Sequence, residues 1–291
     1  MATSFNVEEI LTCLKNTYLS GDKNIRDQSE KKLSELKDQN ILIFSTKLIE
    51  LLSTGQLDKN LRMSIILLLK RSINEKINNK TLDKDTNNQL IQLYITILVN
   101  PNKSFKEIEN LKETFISLLD ITTGEIIIEI INYINKQISS MPLGSVNGVI
   151  SILSSIINSK PVKNKKTFQI VLEGLLNMSS SIVQNLYSKY ENINPETNLD
   201  DYLKFNTIFL NIFELFFDCC IKTYKKYKID NDTFANIFDT VLIIGIKVLV
   251  NLKAKDNNKI ISWTGDKTID KNINNMKIYI LKFLNLQVTN L

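Results

Sequence analysis

Apolar residues along this chain recur at spacings of three and four, and nowhere do they sustain the strict alternation of a half-buried strand. Val7, Ile10, Leu11, Leu14 and Tyr18 form one such stripe. Leu61, Ile65, Leu68, Leu69 and Ile73 form another. Phe205, Phe209, Ile212, Phe213 and Phe216 form a third, wide enough to predict a helix buried nearly all round. The punctuation between stripes is helical as well. Asn6 with Glu9 resembles a capping arrangement, and Ser104 with Glu107 and Thr122 with Glu125 have full capping-box spacing. Asp22 and Asp58 are candidate N-caps. Pro142 and Pro161 stand where a first helical turn tolerates a missing N–H, and Pro195 falls in a polar loop, 191–201.

Stripes and caps together predict helices near 5–19, 24–37, 40–53, 59–78, 85–100 and 104–119. Six more are predicted near 123–139, 142–159, 163–189, 201–226, 231–252 and 270–287. Short connections force neighbouring helices to pack antiparallel. The twelve therefore make six antiparallel pairs, with a mean pitch of roughly 48 residues against about 40–47 for HEAT and armadillo repeats. The expected fold is all-α, a HEAT/armadillo-type α-α superhelix in which each pair buries its apolar face on the next. An irregular helical bundle fits the same periodicity. The longest polar stretch, 253–270, lies between the last two predicted helices, and no composition shift divides the chain.

Composition narrows the chemistry. Lys and Arg number 36 against 31 Asp and Glu, interleaved along helices as on solvated faces rather than gathered into one basic stripe. There is no histidine, which removes the usual general base and every Ser-His or Cys-His nucleophile pair. No glycine-rich phosphate loop is present either, so the chain is expected not to be an enzyme and to need no cofactor or metal. Cys219 and Cys220 are adjacent, a spacing that suits neither an ordinary disulfide nor a Cys-x-x-Cys site, and with Cys13 they are expected to be buried thiols of a reducing compartment. Met1 to Glu9 lacks the apolar core of a secretory signal. The apolar stretches 208–220 and 237–252 carry charges, so no membrane insertion is expected.

Two patterns in the first 80 residues carry a resemblance. Arg26, Ser29, Glu30 and Leu33 stand in the order Arg-x-x-Ser-Glu-x-x-Leu. Arg62 is followed eight residues later by Lys70, after the apolar run Ile65 to Leu69. Together they resemble the second and fourth helices of the N-terminal domain of the importin-β (karyopherin-β) superfamily of nuclear transport receptors. The loop after Tyr190, the Phe-rich helix from Phe205, Trp263 and the segment from Lys277 are similar to the importin-seven/eight branch, with the exportin-two branch beside it. The sequence departs from the pattern at Ser29 and Arg71, where the family favours alanine and asparagine. It departs again after Asp120, where Ile121, Thr122, Thr123, Gly124 and Glu125 replace an aromatic-Pro-x-x-Trp sequence.

The resemblance implies residues 1–80 as an importin-β N-terminal-like domain, with 81–291 continuing the same superhelix. It implies a receptor for Ran-GTP and protein cargo that also takes Phe-Gly segments of nucleoporins, working between cytoplasm and nucleus and at the nuclear envelope and pore. Ran-GTP and cargo would then exclude one another by favouring different curvatures. Arg62 and Lys70 are the candidate Ran-binding residues; the bland alternative is a solvated helix face. Arg26 and Glu30 are expected to form an intrahelical ion pair. The basic clusters at Lys163, Lys165 and Lys166 and at Lys222 to Lys228 suit helix ends, and nucleic acid is not an expected partner. Glu8 with Glu9, Asp83 with Asp85, and Asp200 with Asp201 fall at helix starts, where anions are favoured. Trp263 is either an interface anchor or a packing residue. The rival reading of function is a HEAT-repeat scaffold or adaptor unrelated to nuclear transport.

Overall fold

The computed structural model describes residues 6–54, 57–194 and 197–221, with scattered positions between 243 and 285. The helices expected near 231–252 and 270–287 fall mostly outside the described residues, as do Trp263 and the Lys222–Lys228 cluster. Among the described residues all regular structure is helical. The α-helices are α1 (Val7–Leu19), α2 (Lys23–Gln39), α3 (Ile41–Ser53), α4 (Lys59–Asn78) and α5 (Lys84–Leu98). They continue with α6 (Phe105–Leu119), α7 (Gly124–Gln137), α8 (Leu143–Asn158), α9 (Lys165–Glu191) and α10 (Leu199–Ile221). Short 3₁₀ turns precede α8 and α9.

The caps explain where the helices begin. Asn6 accepts from the Glu8 N–H, Asp22 from Asn24 and Ile25, and Asp58 from Asn60 and Leu61. Each satisfies N–H groups that the first turn leaves unpaired. The Ser104–Glu107 capping box forms in full. The expected Thr122–Glu125 box does not. Thr123 is the N-cap of α7, and its side chain makes no cap bond to the helix. Pro142 stands one position earlier than expected, as the N-cap of α8. At the end of α4, Thr81 N–H bonds Lys76 C=O and Lys80 N–H bonds Ile77 C=O, which is a Schellman motif. It puts Lys80 at φ 57°, in the left-handed region.

Helices pack on their second neighbours as well as their first. α4 packs on α6, α6 on α8 and α8 on α10; α1 packs on α3, α3 on α5 and α7 on α9. This order lapses between α2 and α4 and between α5 and α7, and α8 packs on α5 as well. Glycine makes that approach possible. A Cβ on Gly148 would lie 1.9 Å from the Leu98 carbonyl oxygen, and one on Gly144 would lie 2.7 Å from that of Pro101. α8 carries no charged residue, and Ser145, Asn147, Ser151 and Ser155 are all buried along it.

The core follows the predicted stripes. Ile10 and Leu14 of α1, and Leu61, Ile65, Leu69 and Ile73 of α4, are buried, while Tyr18 at the end of the first stripe is exposed. All five apolar residues of the third stripe are buried in α10. Tyr190 at the end of α9 stacks on Tyr202 at 5.8 Å and meets Phe209 edge-on at 5.5 Å. Such aromatic pairs contribute roughly 0.5–1.5 kcal/mol each beyond area burial. Cys13 and Cys219 are buried.

Candidate functional site

The polar features concentrate along the succession α2, α4, α6, α8, α10. At its start, Lys37 pairs with Glu75 at 2.7 Å and Lys76 with Asp38 at 2.9 Å, linking the ends of α2 and α4. These pairs are half in water and contribute little individually. The next interface is different.

Arg62 Nε donates to Glu107 Oε1 at 2.7 Å, and the two side chains are only 15% and 9% exposed. The other Glu107 oxygen accepts from the Ser104 N–H and the Ser104 hydroxyl, both at 2.9 Å. Burial pushes the Glu107 carboxyl up, but the two Ser104 donors and the Arg62 guanidinium outweigh it and hold its pKa below the ordinary value. Arg62 also donates to the Leu52 carbonyl at 3.0 Å, near the end of α3. Lys103 donates to the same carbonyl at 2.7 Å. Burial, and then the Arg62 charge, push the Lys103 amine down to about 8, with Glu107 acting the other way. The cluster holds two cations and one carboxylate. It carries one uncompensated positive charge.

Lys70, the other candidate, lies two turns further along α4 and pairs with Glu113 of α6. Its side chain is 32% exposed, against 15% for Arg62. The two candidates thus face the same neighbouring helix, and each has an acidic partner within the chain. Arg26 does not pair with Glu30. Its guanidinium donates to the Ser20 and Gly21 carbonyls at 2.8 and 3.1 Å and closes the α1–α2 loop. Loop carbonyls are fixed in place, whereas an exposed carboxylate four residues on gains only a few tenths of a kcal/mol. Asp83 caps α5, and Asp85, Glu8, Glu9, Asp200 and Asp201 lie in first turns.

Beyond the cluster, the face of α6, α8 and α10 is hollowed twice. A cavity of about 180 Å³ lies between the α5–α6 loop, the start of α8 and α10. Pro101, Ile108 and Ile208 make its apolar wall, and Lys103, Asn147 and Lys204 its polar one. A second hollow of about 250 Å³ is more polar and is lined by Glu109, Lys112, Ser154, Thr207 and Glu214. Asn211 Nδ2 donates to Asn147 Oδ1 at 2.6 Å and fixes α10 against α8. Lys204, Thr207, Asn211 and Glu214 form a less buried polar stripe on α10, beside the buried Phe205, Phe209 and Phe213.

Sequence reasoning missed Lys103, Asn147 and Lys204. Asn147 had a signal, as an amide inside the apolar run Val146 to Leu153. Lys103 had none, because its burial depends on Leu52, 51 residues away. Among the described residues no group of His, Cys, Asp or Glu could hold a metal ion, and no helix is long and apolar enough to cross a membrane. No protein-family model matches the chain, and no curated protein matches it in sequence.

Proposed function

We infer that this chain is a HEAT-type α-α superhelical scaffold that binds proteins along an extended face, and that it acts as an importin-β-type receptor for Ran in its GTP form. The observation that carries the scaffold reading is the packing order, in which α4, α6, α8 and α10 each lie against the next. A succession of that kind offers a long surface rather than one closed pocket, which is how stacked helix pairs engage partners. The all-helical fold and the two motifs of the first 80 residues support the receptor reading.

In this reading Lys70 is the contact residue of the two candidates. It lies on the solvent side of the α4–α6 interface, where a partner's carboxylate can compete with Glu113. Arg62 would act by holding α4 on α6. Protein cargo and Phe-Gly nucleoporin segments would occupy other parts of the surface.

The pairing of both cations within the chain favours a second reading, a HEAT scaffold or adaptor with no role in transport. Binding to Ran loaded with a non-hydrolysable GTP analogue, against Ran-GDP at equal salt, separates the two. Preference for the GTP form supports the receptor, and its absence in folded protein leaves the adaptor.

A further inference from the structure

The cavity beside Lys103 has two ammonium groups in its wall, from Lys103 and Lys204. Lys103 belongs to the cluster in which two cations, Arg62 and Lys103, meet one carboxylate, Glu107. Lys204 adds a second ammonium from α10, only loosely held by Asp201 at 3.6 Å. Asn147 also lines the cavity, and its side-chain oxygen is taken by Asn211. A desolvated cation without a full counter-charge is costly. The two ammonium groups here call for an acceptor with negative charge. The rest of the wall, Pro101, Ile108 and Ile208, is apolar.

Size limits the ligand. An apolar cavity of about 150 Å³ takes a benzene molecule, and this one is about 180 Å³. We propose that the cavity between the α5–α6 loop, α8 and α10 binds a compact amphipathic carboxylate. Its carboxylate meets Lys103, Lys204 and the Asn147 amide, and its apolar body lies against Pro101, Ile108 and Ile208. This site is independent of the Ran reading.

The charges acting on Lys103 are Arg62 from α4 and Glu107 from α6; Lys204 from α10 shares the cavity wall, and α8 carries no charge. Burial, and then the Arg62 charge, hold the Lys103 amine down to about 8, Glu107 opposing them. An anion in the cavity opposes loss of its proton, so binding and protonation are linked.

Benzoate is the probe, titrated into the whole chain with isoleucine methyl resonances as the readout. A dissociation constant on the order of 1 mM or tighter is expected, with shifts at Ile108 and Ile208. Benzamide, of the same shape without the charge, should bind about tenfold more weakly. Affinity should fall about tenfold between about pH 7 and about pH 9.5. Lys103→Met should abolish binding. Lys204→Met, at a half-exposed position, should weaken it severalfold at unchanged helicity. Benzamide matching benzoate, affinity indifferent to pH, no shift at either isoleucine, or inorganic phosphate displacing benzoate at equal concentration would overturn the assignment.

Discussion

Arg62 and Glu107 are 45 residues apart in sequence and 2.7 Å apart in space, joined across the α4–α6 interface with little water on either. Glu107 has two tasks at once. It closes the capping box that starts α6, and it neutralises the arginine that reaches back to α3.

That double role makes the pair energetically prominent. Removing one partner strands the other, and for buried pairs the cost is about 3–5 kcal/mol. Arg62→Met and Glu107→Gln should each lower stability to urea by about 2–4 kcal/mol, slightly less because some water reaches both. The double variant should cost less than the sum. Strict additivity in the cycle would show that the two side chains act separately.

The same cluster sets a pH dependence at each end. Glu107 is held below its ordinary value of 4.5, so its contribution is present above that pH and is lost as pH falls through the lower folded value. The stability gap between the wild type and Glu107→Gln should therefore close in acid. Lys103 behaves oppositely. Between about 8 and its ordinary 10.5 the unfolded chain binds a proton that the folded one does not, so stability rises with pH. Urea midpoints at about pH 7.5 and about pH 9 should rise in the wild type relative to Lys103→Met.

Gly148 tests the junction of α8 with α5. A methyl group there would overlap the Leu98 carbonyl, which belongs to backbone and cannot swing aside. Gly148→Ala should cost at least about 3 kcal/mol, at the upper end for overpacking. Gly21→Ala, with nothing within 4 Å, is the control and should fall within about 0.5 kcal/mol of the wild type. Thermal unfolding followed by circular dichroism reads both.

Lys80 offers a gain instead of a loss. It occupies the left-handed C′ position of a Schellman motif, where glycine is favoured because it has no Cβ. Relief of left-handed strain, about 1–2 kcal/mol, exceeds the unfolded-state entropy that glycine adds, about 0.4–1 kcal/mol, so Lys80→Gly should stabilise the chain by about 0.5 kcal/mol, read as a small rise in melting temperature.

The helices were legible because their signals are local. Asp22 and Asp58 mark their helix starts, and the stripe Leu61, Ile65, Leu69, Ile73 is the face that α4 buries. The box at Thr122 was misread because spacing alone does not say which threonine leaves the helix, and Thr123 does. The site was mostly illegible. The partner of Arg62 comes from α6, two helices further along the chain, and Arg26 takes loop carbonyls that no side-chain pattern advertises. The hollow beside Lys103 exists only because Gly144 and Gly148 let α8 close on the α5–α6 junction.

The central claim is partner binding along the face that runs through α4 and α6, and Ran tests it most directly. Ran loaded with a non-hydrolysable GTP analogue should bind the wild type well ahead of Ran-GDP. Lys70→Glu should weaken that binding about tenfold or more, through like-charge repulsion at a half-exposed contact, while helicity is unchanged. Equal binding of the two nucleotide forms, or no binding by protein that is folded and helical, would contradict the receptor account.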